Sequence, residues 1–378
     1  MLVGFLPLPA QAQKFLETYQ KPMPKMEFMP QAEFDALTDY VEAKPFDIKA
    51  LEYSIRLPKE WTQSETPSQT DVSASNKVFS EIARFHGPPS IDSRSSITIK
   101  TINLEFRQNA EQWMMWYLLK HGMAVQGFQG HGDARAEALY VIVENDVQYA
   151  IRSLAVLNGK QAVLVEYSLP TDNWQDEKII QAQVIDSFRL KHEVVEDIEN
   201  MVLYRFLDIS GFEHPESWQL KAMPLKTVDR MRVELLSLVQ LETEERRKRR
   251  ILNGKMEIDL VAIHSSKPLN EEVEEIKQRV GASGLMIGEL VDFKDDFKAH
   301  EALKFKAIDV YDVQDNKNDL IKYELWIGTL ASDNYYFFVT LLTPSRDQDY
   351  FTWVKNSHTY LDVISRFQPV LEEEALPQ

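Results

Sequence analysis

The chain has 378 residues, 44% hydrophobic and 11% aromatic, which suffices for two or three domains with their own cores and is too apolar for a disordered chain. Its formal net charge of −17 repels phosphate backbones and anionic lipid, so nucleic acid is not expected as a partner. There is no cysteine, which excludes disulfides, thiolate metal sites and a cysteine nucleophile together, and no apolar stretch reaches the length of a membrane span.

Residues 1–12, MLVGFLPLPAQA, are uncharged and apolar and end in Ala10-Gln11-Ala12, an A-x-A cleavage pattern, although the basic start of a signal peptide is missing. The pattern predicts export and a periplasmic location; the alternative is an ordinary apolar tail on a cytoplasmic protein. Residues 13–44 read as a Pro/Met-rich linker followed by a short helix. Proline keeps QKPMPKMEFMPQ (20–31) extended, and Phe34, Leu37, Tyr40 and Val41 recur at helical spacing over 31–43.

A first domain is expected over 45–190. Its predicted strands are 51–57, 77–85, 95–106, 136–144, 147–156 and 161–169, and its helices are 109–121 and 172–188. After a linker at 191–202, a second domain runs over 203–370. Its predicted strands are 207–213, 230–241, 254–264, 285–293, 302–313, 320–330 and 335–342, and its helices are 271–280 and 347–366. An acidic tail occupies 371–378. Asn109 and Gln112 form a reciprocal cap at the start of one helix and Gly122 ends it; Asn270 and Gly281 are expected to do the same in the second domain.

The two domains are copies. YAIRSLAVLNGKQAVLVEYSLP (149–170) aligns without a gap on YELWIGTLASDNYYFFVTLLTP (323–344), matching Tyr149 to Tyr323, Val165 to Val339 and Pro170 to Pro344. Asn158-Gly159 and Asp333-Asn334 are expected as the tight turns of the two hairpins. The runs AVLV (162–165) and YYFFV (335–339) are apolar on both faces, so helices should cover both sides of each sheet. Short hairpins make those sheets mainly antiparallel. The expected fold is α+β, two tandem α/β/α sandwich domains.

Each copy opens on Pro-x-x-Trp, LPKEW at 57–61 and HPESW at 214–218. The proline is expected to end a strand and the tryptophan to fold back as an apolar plug. With YSIRLPKEW (53–61) and VIDSF (184–188) in one copy, and FEHPESW (212–218) and VISRF (363–367) in the other, the chain resembles the PsbP-type sandwich over about residues 45–190 and 203–370. Photosystem oxygen-evolving accessory proteins, a Ran-binding nuclear import factor, bacterial DcrB-like lipoproteins and type VI secretion effector chaperones share that fold. His214 departs from the pattern, standing where an apolar strand residue is expected. The resemblance implies a non-enzymatic binding or assembly protein and transfers no site residues.

No catalytic residue, metal site or cofactor is expected. H-E-x-x-H, G-K-[ST] and G-x-S-x-G are all missing. His121, His131 and Asp133 lie close together in HGMAVQGFQGHGD, but that segment reads as a flexible glycine-rich loop without a supporting second layer of ligands. Two segments are candidates for partner binding. Arg246, Arg247, Lys248, Arg249 and Arg250 follow three glutamates in ETEERRKRR; they read either as a solvated hairpin extension or as a docking finger for an acidic or phosphate-bearing surface. Trp113, Met114, Met115 and Trp116 make helix NAEQWMMWYLLKHG apolar around most of its circumference, more than one sheet face requires, so it reads either as part of a core between the two domains or as a partner contact. The expected function is a scaffold or assembly subunit of a bacterial envelope complex such as a secretion system, with protein partners. The alternative is a cytosolic chaperone shielding apolar helices of a secreted client.

Overall fold

The computed structural model describes residues 21–64, 78–88, 93–207, 209–223, 227–242 and 248–369. The chain divides into two compact units, Gln13–Ile198 and the residues from Glu199 onward.

Unit one begins with α1 (Gln31–Leu37), β1 (Thr38–Ala43) and β2 (Tyr53–Pro58). β3 (Thr62–Gln63), β4 (Ser80–His86), β5 (Ser96–Asn103), α2 (Ala110–Lys120), β6 (Ala124–Gly130), β7 (Arg135–Glu144), β8 (Val147–Asn158) and β9 (Gln161–Pro170) follow, then α3 (Trp174–Ser187) and β10 (Arg189–Leu190). The main sheet has the order β3-β4-β5-β9-β8-β7-β6, and every neighbouring pair is antiparallel. A small sheet, β1-β2-β10, packs on one face with α3; there Ile55 and Leu57 meet Ile99, Val165, Val184 and Phe188. α2 covers the other face. Ala162 to Val165 of β9 are therefore buried on both sides, as an apolar run in a central strand requires.

Unit two repeats the plan. β11 (Met201–Phe206) pairs with β12 (Ser210–Pro215), and the main sheet follows as β13 (Trp218–Ala222), β14 (Arg230–Glu242), β15 (Lys248–Ala262), β16 (Leu285–Lys294), β17 (Phe305–Asp315), β18 (Asn318–Ala331) and β19 (Tyr335–Pro344). Its order is β13-β14-β15-β19-β18-β17-β16, the order of unit one strand for strand. α4 (Leu269–Gly281) covers one face through Ile276, and α5 (Tyr350–Ser365) covers the other through Tyr360, Val363 and Ile364. Each unit is thus a helix–sheet–helix sandwich.

The Pro-x-x-Trp motifs take the expected place. Pro58 and Pro215 are the last residues of β2 and β12. Trp218 is buried in its core, and Trp61 packs edge-on against Tyr167 with ring centroids 5.2 Å apart. His214 is buried in β12. Its Nδ1 lies 3.0 Å from Pro215 O, and since a carbonyl only accepts, Nδ1 holds the proton. Burial lowers its pKa below the usual histidine value, partly offset by that hydrogen bond.

Four local expectations are corrected. The helix expected over 31–43 stops at Leu37, because from Thr38 the backbone pairs with β2, a tertiary partner that helical spacing does not reveal. The glycine-rich loop is in fact strand β6. Asn270 lies inside α4, whose N-cap is Pro268, and Gly281 is its last helical residue. Asn158 is not a turn residue: it pairs with Gln161, leaving Gly159 (φ 56°) and Lys160 as the turn, while its amide clamps Ala50 O and His192 O at 2.9 Å. The Asn109–Gln112 reciprocal cap and the left-handed Gly122 (φ 61°) are as read.

Candidate functional site: an open sheet edge and its neighbouring cavity

The apolar surplus of α2 is used inside unit one. Trp113, Met114 and Met115 are buried, Trp113 stacks on Tyr117 at 5.7 Å, and Phe79 meets both rings edge-on. These three residues are therefore covered inside unit one and are not a partner surface, a correction whose cause is their packing within the unit, where Phe79 closes over the Trp113 and Tyr117 rings. Trp116 is half-buried, with Lys120 Nζ 4.5 Å above its ring. In the basic run, Lys248, Arg249 and Arg250 belong to β15 and pair with Glu242, Leu241 and Gln240, so the β14–β15 hairpin does extend here. Arg246 and Arg247 lie outside the described residues. His121 and His131 have separate partners: His121 Nδ1 lies 2.8 Å from Tyr117 O, and His131 faces Glu137 at 3.5 Å. Among the described residues no group of three or more potential metal ligands converges.

The two units differ most at one edge of their main sheets. In unit one the edge strand β6 is lined by the extended segment that precedes α1. Phe128 N donates to Lys21 O at 2.7 Å, Pro22 bridges Phe128 in parallel, and Lys21 Nζ donates to Val125 O at 3.3 Å. Gly127 permits this approach, since a Cβ there would lie 2.9 Å from Met23 Sδ. The segment continues past Arg152, whose Nη1 meets Met26 Sδ, to Met29, whose backbone exchanges hydrogen bonds with the Gln183 amide of α3. Val125 and Phe128 are buried.

In unit two the equivalent strand is β16, and among the described residues β17 is its only partner. Its register matches. Val125 faces Tyr140 as Leu290 faces Tyr311, and Phe128 faces Ala138 as Phe293 faces Asp309. Yet Met286, Leu290, Val291 and Phe293 are each at least 50% exposed. Exposed acids Glu289, Asp295 and Asp296 flank them. An edge strand offers a row of unpaired N–H and C=O groups, and folded proteins usually blunt such an edge with lysine, proline or a cover. β16 has two register shifts and a terminal Lys294, but also this apolar row.

Beside β16 lies a cavity of about 280 Å³, lined by Val291, by exposed Asp312, Gln314, Lys322 and Arg346, and by buried Glu324 and Ser345. Glu324 Oε2 accepts two indole hydrogen bonds, from Trp353 at 2.6 Å and Trp326 at 3.0 Å. Its Oε1 faces Arg346 Nε at 3.5 Å, beyond a good hydrogen bond, and that guanidinium lies 4.7 Å above the Trp353 ring. Ser345 Oγ is buried without a hydrogen-bond partner. Unit one carries no acid at the matching positions. The paired positions Asp312–Glu324 and Gln314–Lys322 correspond to Val141–Ala150 and Val143–Gln148. The sequence held that signal, because the gap-free alignment sets Glu324 against Ala150. A buried acid and an unsatisfied hydroxyl are visible only in three dimensions.

Comparison with known proteins adds a likeness of fold. No family model and no curated protein matches the chain. Among solved structures, the chain is similar to a cyanobacterial PsbP from Synechocystis sp. PCC 6803, at 11% identity and a TM-score of 0.30, over 44% of this chain and 98% of that one. It is similar to LpqN of Mycobacterium tuberculosis, involved in cell envelope biogenesis, at 10% identity and a TM-score of 0.23, over 43% and 96%. It is also similar to TplEi, a type VI secretion immunity protein of Pseudomonas aeruginosa, at 9% identity and a TM-score of 0.22, over 84% and 95%. At such TM-scores these likenesses carry no argument about activity. Among the described residues no helix is long and apolar enough to cross a membrane.

Proposed function

We propose that the chain is a non-catalytic binding protein that receives an extended segment of a partner protein along β16. It would act as an accessory or assembly subunit of a bacterial envelope complex such as a secretion system, in the periplasm. The observation that supports this is the bare β16 edge, set against the same edge in unit one, where a peptide already lies. Strand addition uses main-chain hydrogen bonds for affinity and side-chain contacts for specificity. The chain itself shows what suits such an edge: KPMPKMEFM (21–29), extended, rich in methionine and proline, and bearing Lys21 and Lys25. Glu289, Asp295 and Asp296 beside β16 favour a basic occupant of that kind.

The test is affinity isolation from the native membrane fraction, with the intact chain and with a Val291→Lys/Phe293→Lys variant in parallel. A partner held by the first and lost at least tenfold from the second, with the variant's thermal unfolding unchanged, is the expected result. Equal recovery from both proteins would remove the β16 edge from the account. Loss of residues 1–12 in the mature protein, read by mass spectrometry, is the expected sign of export; an intact Met1 would favour the cytoplasmic alternative.

A further inference from the structure

We propose that the cavity beside β16 is a receptor for one basic head group, a guanidinium or a primary ammonium, delivered by a side chain of the partner segment. The proposal rests on the docking reading for the source of that group. The chemistry of the cavity stands on its own residues.

Three features select a cation. First, the acceptors are built in. Glu324 is held at Oε2 by two indoles, which leaves Oε1 turned to Arg346 at a distance that is not a hydrogen bond. Secondly, Ser345 lines the same cavity and its buried Oγ has no hydrogen-bond partner, although a buried hydroxyl normally has one. A donor-rich planar group placed there would supply the donors that a carboxylate oxygen and an unpaired hydroxyl accept. Thirdly, the charged groups of the cavity are three carboxylates, Asp312, Glu324 and Asp347, against Lys322 and Arg346. An anion would have to approach a carboxylate that is already buried, the costly arrangement in a medium of low dielectric. The volume, about 280 Å³, suits a side chain better than a larger ligand.

Position argues for delivery along the edge. Val291 belongs to the exposed row of β16 and also lines the cavity. A strand laid on β16 would therefore carry a long basic side chain past the cavity mouth. The duplicated unit serves as an internal control, since Val141, Val143 and Ala150 stand where Asp312, Gln314 and Glu324 stand here.

The experiment uses the full chain and methylguanidinium as probe, followed by the indole N–H resonances of Trp326 and Trp353, both of which donate to Glu324. A saturable shift at millimolar probe is expected, at least tenfold weaker in Glu324→Gln and a few-fold weaker in Ser345→Ala, with methyl phosphate and acetate giving none. Glutamine keeps an oxygen for the indoles, and Ser345→Ala removes only an unpaired hydroxyl, so a folding defect in one variant leaves the other to decide. Absence of saturation, or binding in both variants as tight as in the unchanged chain, overturns the cavity proposal. If the partner is lost from Val291→Lys/Phe293→Lys but methylguanidinium shows no saturation, docking stands and the cavity proposal falls. If methylguanidinium saturates but the partner survives the lysine pair, docking falls and the cavity is a site for a free amine or guanidine, which overturns delivery by a strand.

Discussion

Beneath the helix on the equivalent face of each sheet, the two units solve one problem with opposite charge. In unit one Lys100 of β5 is paired with Glu166 of β9 at 2.6 Å, and the hydroxyls of Tyr117 and Tyr140 donate to the same carboxylate at 2.9 and 2.6 Å. In unit two the position of Lys100 is held by Asp259, 3% exposed in its side chain, which takes Arg232 of β14 at 2.5 Å and Arg279 of α4 at 2.9 Å. Glu257, beside it, binds Arg279 and Lys255. One cluster is an anion satisfied largely by neutral donors; the other is a lattice of ions that ties a helix to its sheet. The difference teaches that a duplicated backbone keeps its hydrogen-bond accounting but not the sign of the groups that close it.

The largest effect should come from breaking the ionic cluster. Asp259→Ala leaves two guanidiniums without their shared buried acceptor and is expected to cost about 3 kcal/mol. Lys100→Ala, at the matching position, leaves Glu166 with two tyrosine donors and should cost about 2 kcal/mol. Urea unfolding followed by amide exchange in each unit measures both; equal losses would show that the clusters are equivalent after all. Next in size is removal of the edge cover. A chain starting at residue 29 should lose about 1–2 kcal/mol in unit one through the hydrogen bonds at Phe128 and Val125, and should associate with rising concentration, as light scattering would show. A monodisperse truncated protein would mean that β6 protects itself.

The smallest effect concerns pH. His214 stands where unit one has Leu57, one residue before the strand-ending proline in each. Its pKa is depressed by burial from 6.5. Being neutral, it suits the fold above pH 6.5; as pH falls through the depressed value, protonation favours the unfolded chain and unit two loses stability. His214→Leu should flatten that slope in a thermal-melt series. Glu257 follows at lower pH: burial raises its pKa, but the Lys255 hydrogen bond with the Arg279, Lys255 and Arg232 charges brings it below 4.5, and that stability disappears as pH falls through the lowered value.

Much of the architecture was legible because apolar hairpins such as 149–170 and 323–344 repeat without a gap, and because Asn109, Gln112 and Gly122 are local signals with local consequences. What escaped was set by partners distant in sequence. Thr38 to Ala43 share their apolar spacing with a helix and become a strand only because β2 lies alongside. β6 buries Val125 and Phe128 around a register shift and two glycines, a pattern too broken to read as a strand without its neighbour β7. The site escaped for the same reason. Aromatic and basic residues drew attention to α2 and to 246–250, whereas exposure, which singles out β16, is a property of the assembled sheet.

The short peptide that lies against β6 fixes how many ends the molecule offers. If β16 receives a strand as proposed, the duplicated chain offers a single docking edge of this kind among the described residues while the peptide is in place. On that reading, a protease cut after Met29 that released the peptide would bare β6 as a second edge, and one polypeptide could then hold two partner segments.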